Sequence, residues 1–275
     1  MIGIFDSGFG GLTVFKEIKK ALPEYNYIYL GDNLRAPYGG RSQEAIFEFT
    51  KQAVDFLFKQ GCQLVILACN TASSEALRKL QQEWLPKTYP DRRILGVIRP
   101  LAEEASKISR FGRIGVVGTK ATIESGAYKR ELKAQGSPRL RSGQAKLKDF
   151  QNACPLLVPL IEEGWLDKTE TRMILKKCLR PLKAAQIDTL ILGCTHYPLL
   201  VKEFRRIAGK RIKVLDGPKI VAEKLVDYLK RHPEIESKLK KGGQVRYLTT
   251  DNPEKFELLG SRFWGSKITG ERIVL

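Results

Sequence analysis

The sequence predicts an α/β fold: two pseudo-symmetric α/β halves with mainly parallel sheets flanked by helices, and a site in the cleft between them. Three observations carry this expectation. Short apolar runs alternate with longer stretches of helical periodicity along the 275 residues, the pattern of parallel-sheet proteins. Two runs are near-copies that stop on a thiol: Leu64-Val65-Ile66-Leu67-Ala68-Cys69, followed by Asn70-Thr71, and Thr189-Leu190-Ile191-Leu192-Gly193-Cys194, followed by Thr195-His196. Upstream of each lies a second echo, Ile2-Gly3-Ile4-Phe5-Asp6-Ser7-Gly8 in one half and Ile114-Gly115-Val116-Val117-Gly118-Thr119-Lys120 in the other.

Ile2–Phe5 opens the chain as an apolar strand and empties into Asp6-Ser7-Gly8-Phe9-Gly10-Gly11, a glycine-rich turn into a helix over Thr13–Ala21. Backbone N–H groups at such a turn can cradle an anion. The turn is no dinucleotide fingerprint, because Thr13 stands where a third glycine is needed, and no Gly-Lys-Ser/Thr follows for a phosphate loop. Its plainer reading is a tight turn that needs positive φ. Tyr27–Leu30 is the second strand, and Pro37-Tyr38-Gly39-Gly40-Arg41-Ser42 the loop beyond it, where exposed amides can meet a carboxylate or simply turn the chain. The helix over Gln43–Gln60 is expected to bury one broad face through Ile46, Phe47, Phe49, Ala53, Val54, Phe56 and Leu57. The first cysteine strand follows, then a helix over Ser74–Glu83, a strand over Ile94–Val97 and a helix over Ala102–Ser109. The second half repeats the plan: strand Ile114–Val117, helix Glu124–Ala134, a linker-like stretch over Gly136–Leu147, helices Pro155–Glu163 and Thr169–Ala185, the second cysteine strand, and helix Leu199–Ala208. Lys213–Leu215 and a helix over Lys219–Lys230 then return to the first half. The expected domains are therefore 1–97 with 211–275, and 98–210.

Hydrophobic residues make up 43% of the chain, ordinary for a globular protein. Lys and Arg number 48 against 30 Asp and Glu, a formal charge of +18. Such an excess admits nucleic acid, an anionic membrane or an acidic substrate as partner. The bases are scattered in sequence, with one group over Arg139–Lys148 and another over Lys202–Lys213, and no aromatic residues interleave them. A solvated basic surface is the main expectation, a nucleic-acid face the alternative. Five cysteines without clustered spacing argue for a reducing compartment. With no leader-like start and no membrane-length apolar run, the cytoplasm is the expected location.

In parallel α/β sheets ligands bind beyond the carboxyl ends of the strands. Asp6-Ser7, Cys69-Asn70, Thr119 and Cys194-Thr195 are then expected to face one cleft. Cys62, Cys154 and Cys178 read as small core hydrophobes. Cys69 and Cys194 read as a proton-transfer pair, each beside a helix N-terminus whose dipole favours thiolate. His196, two residues past Cys194, can poise or shuttle its proton, whereas His232 reads as surface. Short zinc-ligand spacings and a Cys-x-x-Cys motif are both lacking, so neither a metal nor a redox site is expected. Glu162, by itself, reads as a solvated helix end.

The set Asp6-Ser7-Gly8-x-Gly10-Gly11, Pro37-Tyr38-Gly39, Ala68-Cys69-Asn70-Thr71-Ala72 and Gly193-Cys194-Thr195-His196-Tyr197-Pro198 resembles the glutamate racemases, members of the cofactor-independent aspartate/glutamate racemase superfamily. The resemblance runs in order over nearly the whole chain. It implies interconversion of L- and D-glutamate for peptidoglycan synthesis, with no cofactor and no metal. It also implies a two-base mechanism in which Cys69 and Cys194 exchange the roles of thiolate base and thiol acid. Asp6 and His196 match the polar helpers of the two thiols, and Glu162 matches an acidic supporting residue. Substrate contacts carry over to Asp6, Ser7, Pro37, Tyr38, Gly39, Asn70, Thr71, Thr119, Thr122 and Thr195. Two positions depart from the pattern: Leu101 follows Pro100 where glycine is expected, and Gly217 follows Asp216 where serine is more usual. A homodimer and glutamate are the expected partners, with no membrane. Some relatives affect DNA gyrase, so a nucleic-acid or gyrase association stays open without any motif to support it. Relatives acting on aspartate, hydantoins or a dicarboxylate are the nearest alternative enzymes. A nucleic-acid-associated protein that merely keeps the scaffold is the alternative outside enzymes.

Overall fold

The computed structural model describes residues 1–136 and 147–275, so all but the two ends of the expected linker lie outside the described residues. Its strands are β1 (Ile2–Asp6), β2 (Tyr27–Gly31), β3 (Leu64–Leu67), β4 (Arg93–Gly96), β5 (Arg113–Gly118), β6 (Lys148–Ala153), β7 (Thr189–Gly193), β8 (Lys213–Val214), β9 (Val245–Thr249) and β10 (Gly270–Arg272). They form two sheets, of order β10-β9-β2-β1-β3-β4 and β6-β5-β7-β8, with every strand pairing parallel. Helices cover the sheets, which is why β1, β2, β3 and β7 are buried along their whole length and read as unbroken apolar runs.

The echoed segments occupy matching places. β1 pairs with β3 from Ile2↔Leu64 to Phe5↔Leu67, and β5 pairs with β7 from Ile114↔Thr189 to Gly118↔Gly193. The order β2-β1-β3-β4 thus matches β6-β5-β7-β8. Three strands went unread in the sequence. β9 joins β2, and β10 joins β9 at the sheet edge, while β6 lies at the edge of the other sheet. Edge strands keep one side toward solvent, and β6 (Lys-Asp-Phe-Gln-Asn-Ala) and β10 (Gly-Glu-Arg) accordingly carry no apolar run.

The chain passes to the second sheet after β4 and leaves it after β8. The expected return at residue 211 is therefore early: Lys213–Val214 pairs with β7 in the second sheet. The two departures noted above meet at this crossing. Leu101 lies on α4 (Ile98–Ile108) and Gly217 opens α10 (Gly217–Arg231), and a Cβ at 217 would stand 3.6 Å from Leu101 Cδ2. The leucine fills space beside a backbone that carries no side chain.

The other helices that matter for the site are α1 (Gly11–Ala21), α2 (Gln43–Lys59), α3 (Asn70–Glu75), α5 (Lys120–Glu124), α6 (Ala127–Ala134), α7 (Leu157–Glu162), α8 (Thr169–Ala184), α9 (Val201–Ala208) and α11 (Pro253–Trp264). Ser42 caps α2 by accepting from Ala45 N at 3.3 Å, and Asn252 caps α11 by accepting from Lys255 N at 3.0 Å. Among the described residues no helix is long and apolar enough to cross a membrane.

Candidate active site

The carboxyl ends of β1, β3, β5 and β7 open onto one cleft of about 710 Å³ between the two sheets. Of the residues expected there, Ser7, Pro37, Tyr38, Gly39, Cys69, Asn70, Thr71, Thr119, Glu162, Cys194, Thr195 and His196 line it. Asp6 and Thr122 do not: both are fully buried just behind the wall.

The glycine-rich turn works through space rather than positive φ. Gly10 has φ −59°, and no residue from Gly8 to Gly11 lies in the left-handed region. A Cβ on Gly10 would overlap Thr195 Oγ1 and stand 2.5 Å from His196 Nδ1, and one on Gly11 would stand 2.5 Å from Asp6 Cβ. The missing side chains let the Thr195-His196 turn of the second half sit directly on the start of α1. Thr13, which spoiled the dinucleotide pattern, ties the halves there: its hydroxyl lies 2.8 Å from Gly10 O and 2.9 Å from Thr195 O. A Cβ on Gly39 would likewise stand 2.8 Å from Thr119 Cβ, so the Tyr38-Gly39 loop closes on the opposite half.

The two thiols have unlike surroundings. Cys69 is the N-cap of α3, its sulfur accepting from Ala72 N at 3.5 Å and sharing a hydrogen bond with Ser7 Oγ at 3.4 Å. Burial and the nearby Asp6 carboxylate outweigh these donors and push the Cys69 thiol up to about 12. The expected dipole-stabilised thiolate is thus overturned at Cys69, which rests as a thiol at neutral pH. Nor is Asp6 its hydrogen-bond partner. Asp6 accepts from Gly8 N at 2.9 Å and from the Thr195 hydroxyl at 3.3 Å, across the cleft. Burial raises the Asp6 carboxyl above its usual range, opposed by His196 and by the N–H groups of Gly8 and Gly11.

Cys194 is followed by a turn and a 3₁₀ helix over Tyr197–Leu200, so the expected α-helix N-terminus is absent at this thiol. Its sulfur lies 3.8 Å from His196 Nδ1, and His196 Nε2 lies 2.9 Å from Glu162 Oε1. Burial works to lower the His196 pKa, but the bonds to Cys194 and Glu162 prevail and raise it to about 10. His196 is therefore an imidazolium at neutral pH. Glu162, which alone resembled a solvated helix end, is the carboxylate that holds it.

Hydroxyls and amides from both halves complete the wall. Thr71 Oγ1 lies 2.9 Å from Thr119 Oγ1 and 3.2 Å from Thr122 Oγ1, and Thr119 donates to Thr122 at 2.9 Å. Asn70 Oδ1 accepts from the buried Tyr128 hydroxyl at 2.6 Å, which leaves the Asn70 NH₂ as the end available to a ligand. Tyr38 donates to Asp32, a fully buried carboxylate that also accepts from Arg35 Nε at 2.6 Å and Thr250 Oγ1 at 2.8 Å. Tyr38 thus offers the cleft its ring and backbone, its hydroxyl being committed. The unread helix α11 contributes Lys255, Leu259 and Arg262 to the wall and is anchored by Phe256 and Phe263, whose ring centroids lie 5.9 and 6.2 Å from that of Phe9.

The resting state of Cys69 has a direct readout. Iodoacetamide labelling of the Cys69 peptide, followed by mass spectrometry, is expected to speed up about tenfold per pH unit between about pH 7 and about pH 10. A rate that levels off below about pH 9 would contradict a thiol raised by burial and Asp6.

Comparisons with known proteins identify relatives of this chain. The Asp/Glu/Hydantoin racemase family model matches residues 2–225. A glutamate racemase of Geobacter metallireducens is 40% identical over 267 residues, covering 97% of this chain and 93% of its own. The crystal structure of glutamate racemase isoform RacE1 from Bacillus anthracis superposes with a TM-score of 0.88 at 34% identity, covering 100% of this chain and 97% of that one. A Francisella tularensis glutamate racemase solved in complex with D-glutamate gives a TM-score of 0.85 at 30% identity, with 99% and 97% covered.

Proposed function

The chain belongs to the Asp/Glu/Hydantoin racemase family, and from that premise we propose that it interconverts L- and D-glutamate, supplying the D-enantiomer for peptidoglycan, by a cofactor-independent two-base mechanism. The observation that carries the reading is the pair Cys69 and Cys194, delivered to one cleft by the matching strands β3 and β7 of two pseudo-equivalent sheets. In the reaction one sulfur, as thiolate, takes the α-proton and becomes a thiol. The resulting carbanion then takes a proton from the other thiol on the opposite face, which inverts the centre. Which cysteine acts first depends on the enantiomer bound.

The surroundings support unlike duties for the two sides. Cys69, a thiol in the free protein, is ready to donate a proton, with Ser7 at its sulfur. Cys194 has the His196 imidazolium beside it, held by Glu162, so protons can pass between ring and sulfur between turnovers. The hard step is charge build-up on the substrate, because no electron sink is used. Asn70 and the Thr71–Thr119–Thr122 hydroxyl cluster are preorganised donors for the α-carboxylate as it gains enolate character. Asp6, anchored by Gly8 and Thr195 just behind the wall, is the nearby carboxyl group that favours a protonated substrate ammonium in the cleft.

The purified protein, incubated with L-glutamate in deuterated water and no added cofactor, is expected to yield D-glutamate carrying deuterium at the α-carbon. Absence of racemisation by folded protein, or faster turnover of aspartate than of glutamate, would overturn the assignment.

A further inference from the structure

Two base-rich helices that are separate in the sequence are brought side by side by the fold. Between Arg172 and Lys213 stand eleven Lys and Arg residues against two acids, an excess of nine and half of the whole chain's +18. Both acids are occupied: Asp188 accepts from Ser109 Oγ at 2.7 Å and Phe111 N at 2.6 Å, and Glu203 pairs with Arg206 at 2.6 Å and Arg172 at 3.5 Å. The two helices that carry most of these bases, α8 and α9, lie side by side. Arg172 reaches Glu203 near their starts, and Lys183 Nζ donates to Ile207 O at 2.7 Å near their ends, so they run in the same direction. Their inner faces are buried through Leu175, Leu179, Leu182 and Phe204. Lys176, Lys177 and Arg180 on α8, with Lys202 and Arg205 on α9, are exposed in adjacent rows and have no carboxylate partner among the described residues. None of them lines the catalytic cleft.

We propose that this α8–α9 face binds the phosphate backbone of a duplex nucleic acid. Two side-by-side groups of unpaired cations, spanning about 6 Å along α8 and about 4.5 Å along α9 at 1.5 Å per residue, suit a polyanion with a charge every ~1.7 Å of its axis. No aromatic residue stands among the exposed bases, so stacking on single strands is not served. The large apolar side chain exposed on α8 is Met173, which leaves little to insert into a lipid surface. Contacts of this kind hold the backbone and read no base sequence.

The test is fluorescence anisotropy of the full-length protein with a labelled duplex of about 30 base pairs, from about 50 to about 300 mM salt. Binding is expected to weaken steeply with salt, with a log–log slope of about −4 or steeper. The variant Lys177→Glu/Arg180→Glu/Lys202→Glu/Arg205→Glu should lose on the order of 100-fold in affinity. Its glutamate racemisation should be unchanged, which serves as the check on folding. An equal charge reversal at Lys230, Arg231, Lys238 and Lys240 should cost much less. No binding at the lowest salt, equal losses in the two variants, or binding only to vesicles containing anionic phosphatidylglycerol would each overturn the proposal.

Discussion

Cys69→Ala and Cys194→Ala are each expected to abolish racemisation, lowering kcat by about 10³-fold or more in both directions, since positioned acid–base groups contribute about 10²–10⁴. The reason lies in the division of labour. Either variant retains one sulfur and can still exchange the α-proton of the enantiomer that faces it, but no group remains to deliver a proton to the opposite face. Each variant should therefore show slow deuterium incorporation into one enantiomer only, without inversion, and the enantiomer should differ between the two. Nuclear magnetic resonance of the recovered glutamate separates exchange from inversion. Circular dichroism and a melting curve check that the fold survives, since deleting a small sulfur leaves little cavity. Turnover near normal in either variant, or inversion by both, would dispose of the two-base scheme.

Gly10→Ala is expected to be nearly as damaging, although it removes no functional group. The added Cβ would overlap Thr195 Oγ1 and stand 2.5 Å from His196 Nδ1. The second-half turn must then back away from α1, carrying Cys194 and breaking the bonds from Thr13 to Thr195 and from Thr195 to Asp6. Overpacking of this kind costs about 1–3 kcal/mol. A displacement of about 1 Å at a reacting centre costs about 10²-fold in rate. A lowered Tm together with a fall in kcat of about that size, read from the same preparation, is the expected outcome. Wild-type rate and Tm would show that the two halves do not meet as closely as the geometry has them.

Much of the fold was legible because the central strands of both sheets are buried on two faces. That burial demands unbroken apolar runs, which β1, β2, β3, β5 and β7 display in sequence. The edge strands β6 and β10 were not legible, since they carry no apolar run, and β9, which lies between β2 and β10, went unread with them. The helix α11 was missed with them, and so were the cleft residues Lys255, Leu259 and Arg262. In the site the two thiols stood out because each ends such a strand. Their partners did not. The resemblance matched Asp6 and His196 to the two thiols as helpers, whereas the Asp6 carboxylate binds Thr195 from the other half. Glu162 carried no signal of its own, being 34 residues from the His196 it holds. The same is true of Tyr128 on Asn70 and Thr13 on Thr195.

By itself, then, the sequence determined a duplicated parallel scaffold with two strand-end thiols, because hydrophobic periodicity and strand termini are local properties. It also determined the net charge, but not where the charge lies. Only the tertiary structure decided the protonation of the site. Burial beside Asp6 holds Cys69 as a thiol, and Glu162 holds His196 as an imidazolium at Cys194. Such preferences depend on what surrounds a group in three dimensions, and here the surroundings come from the opposite half of the molecule or from distant parts of the chain.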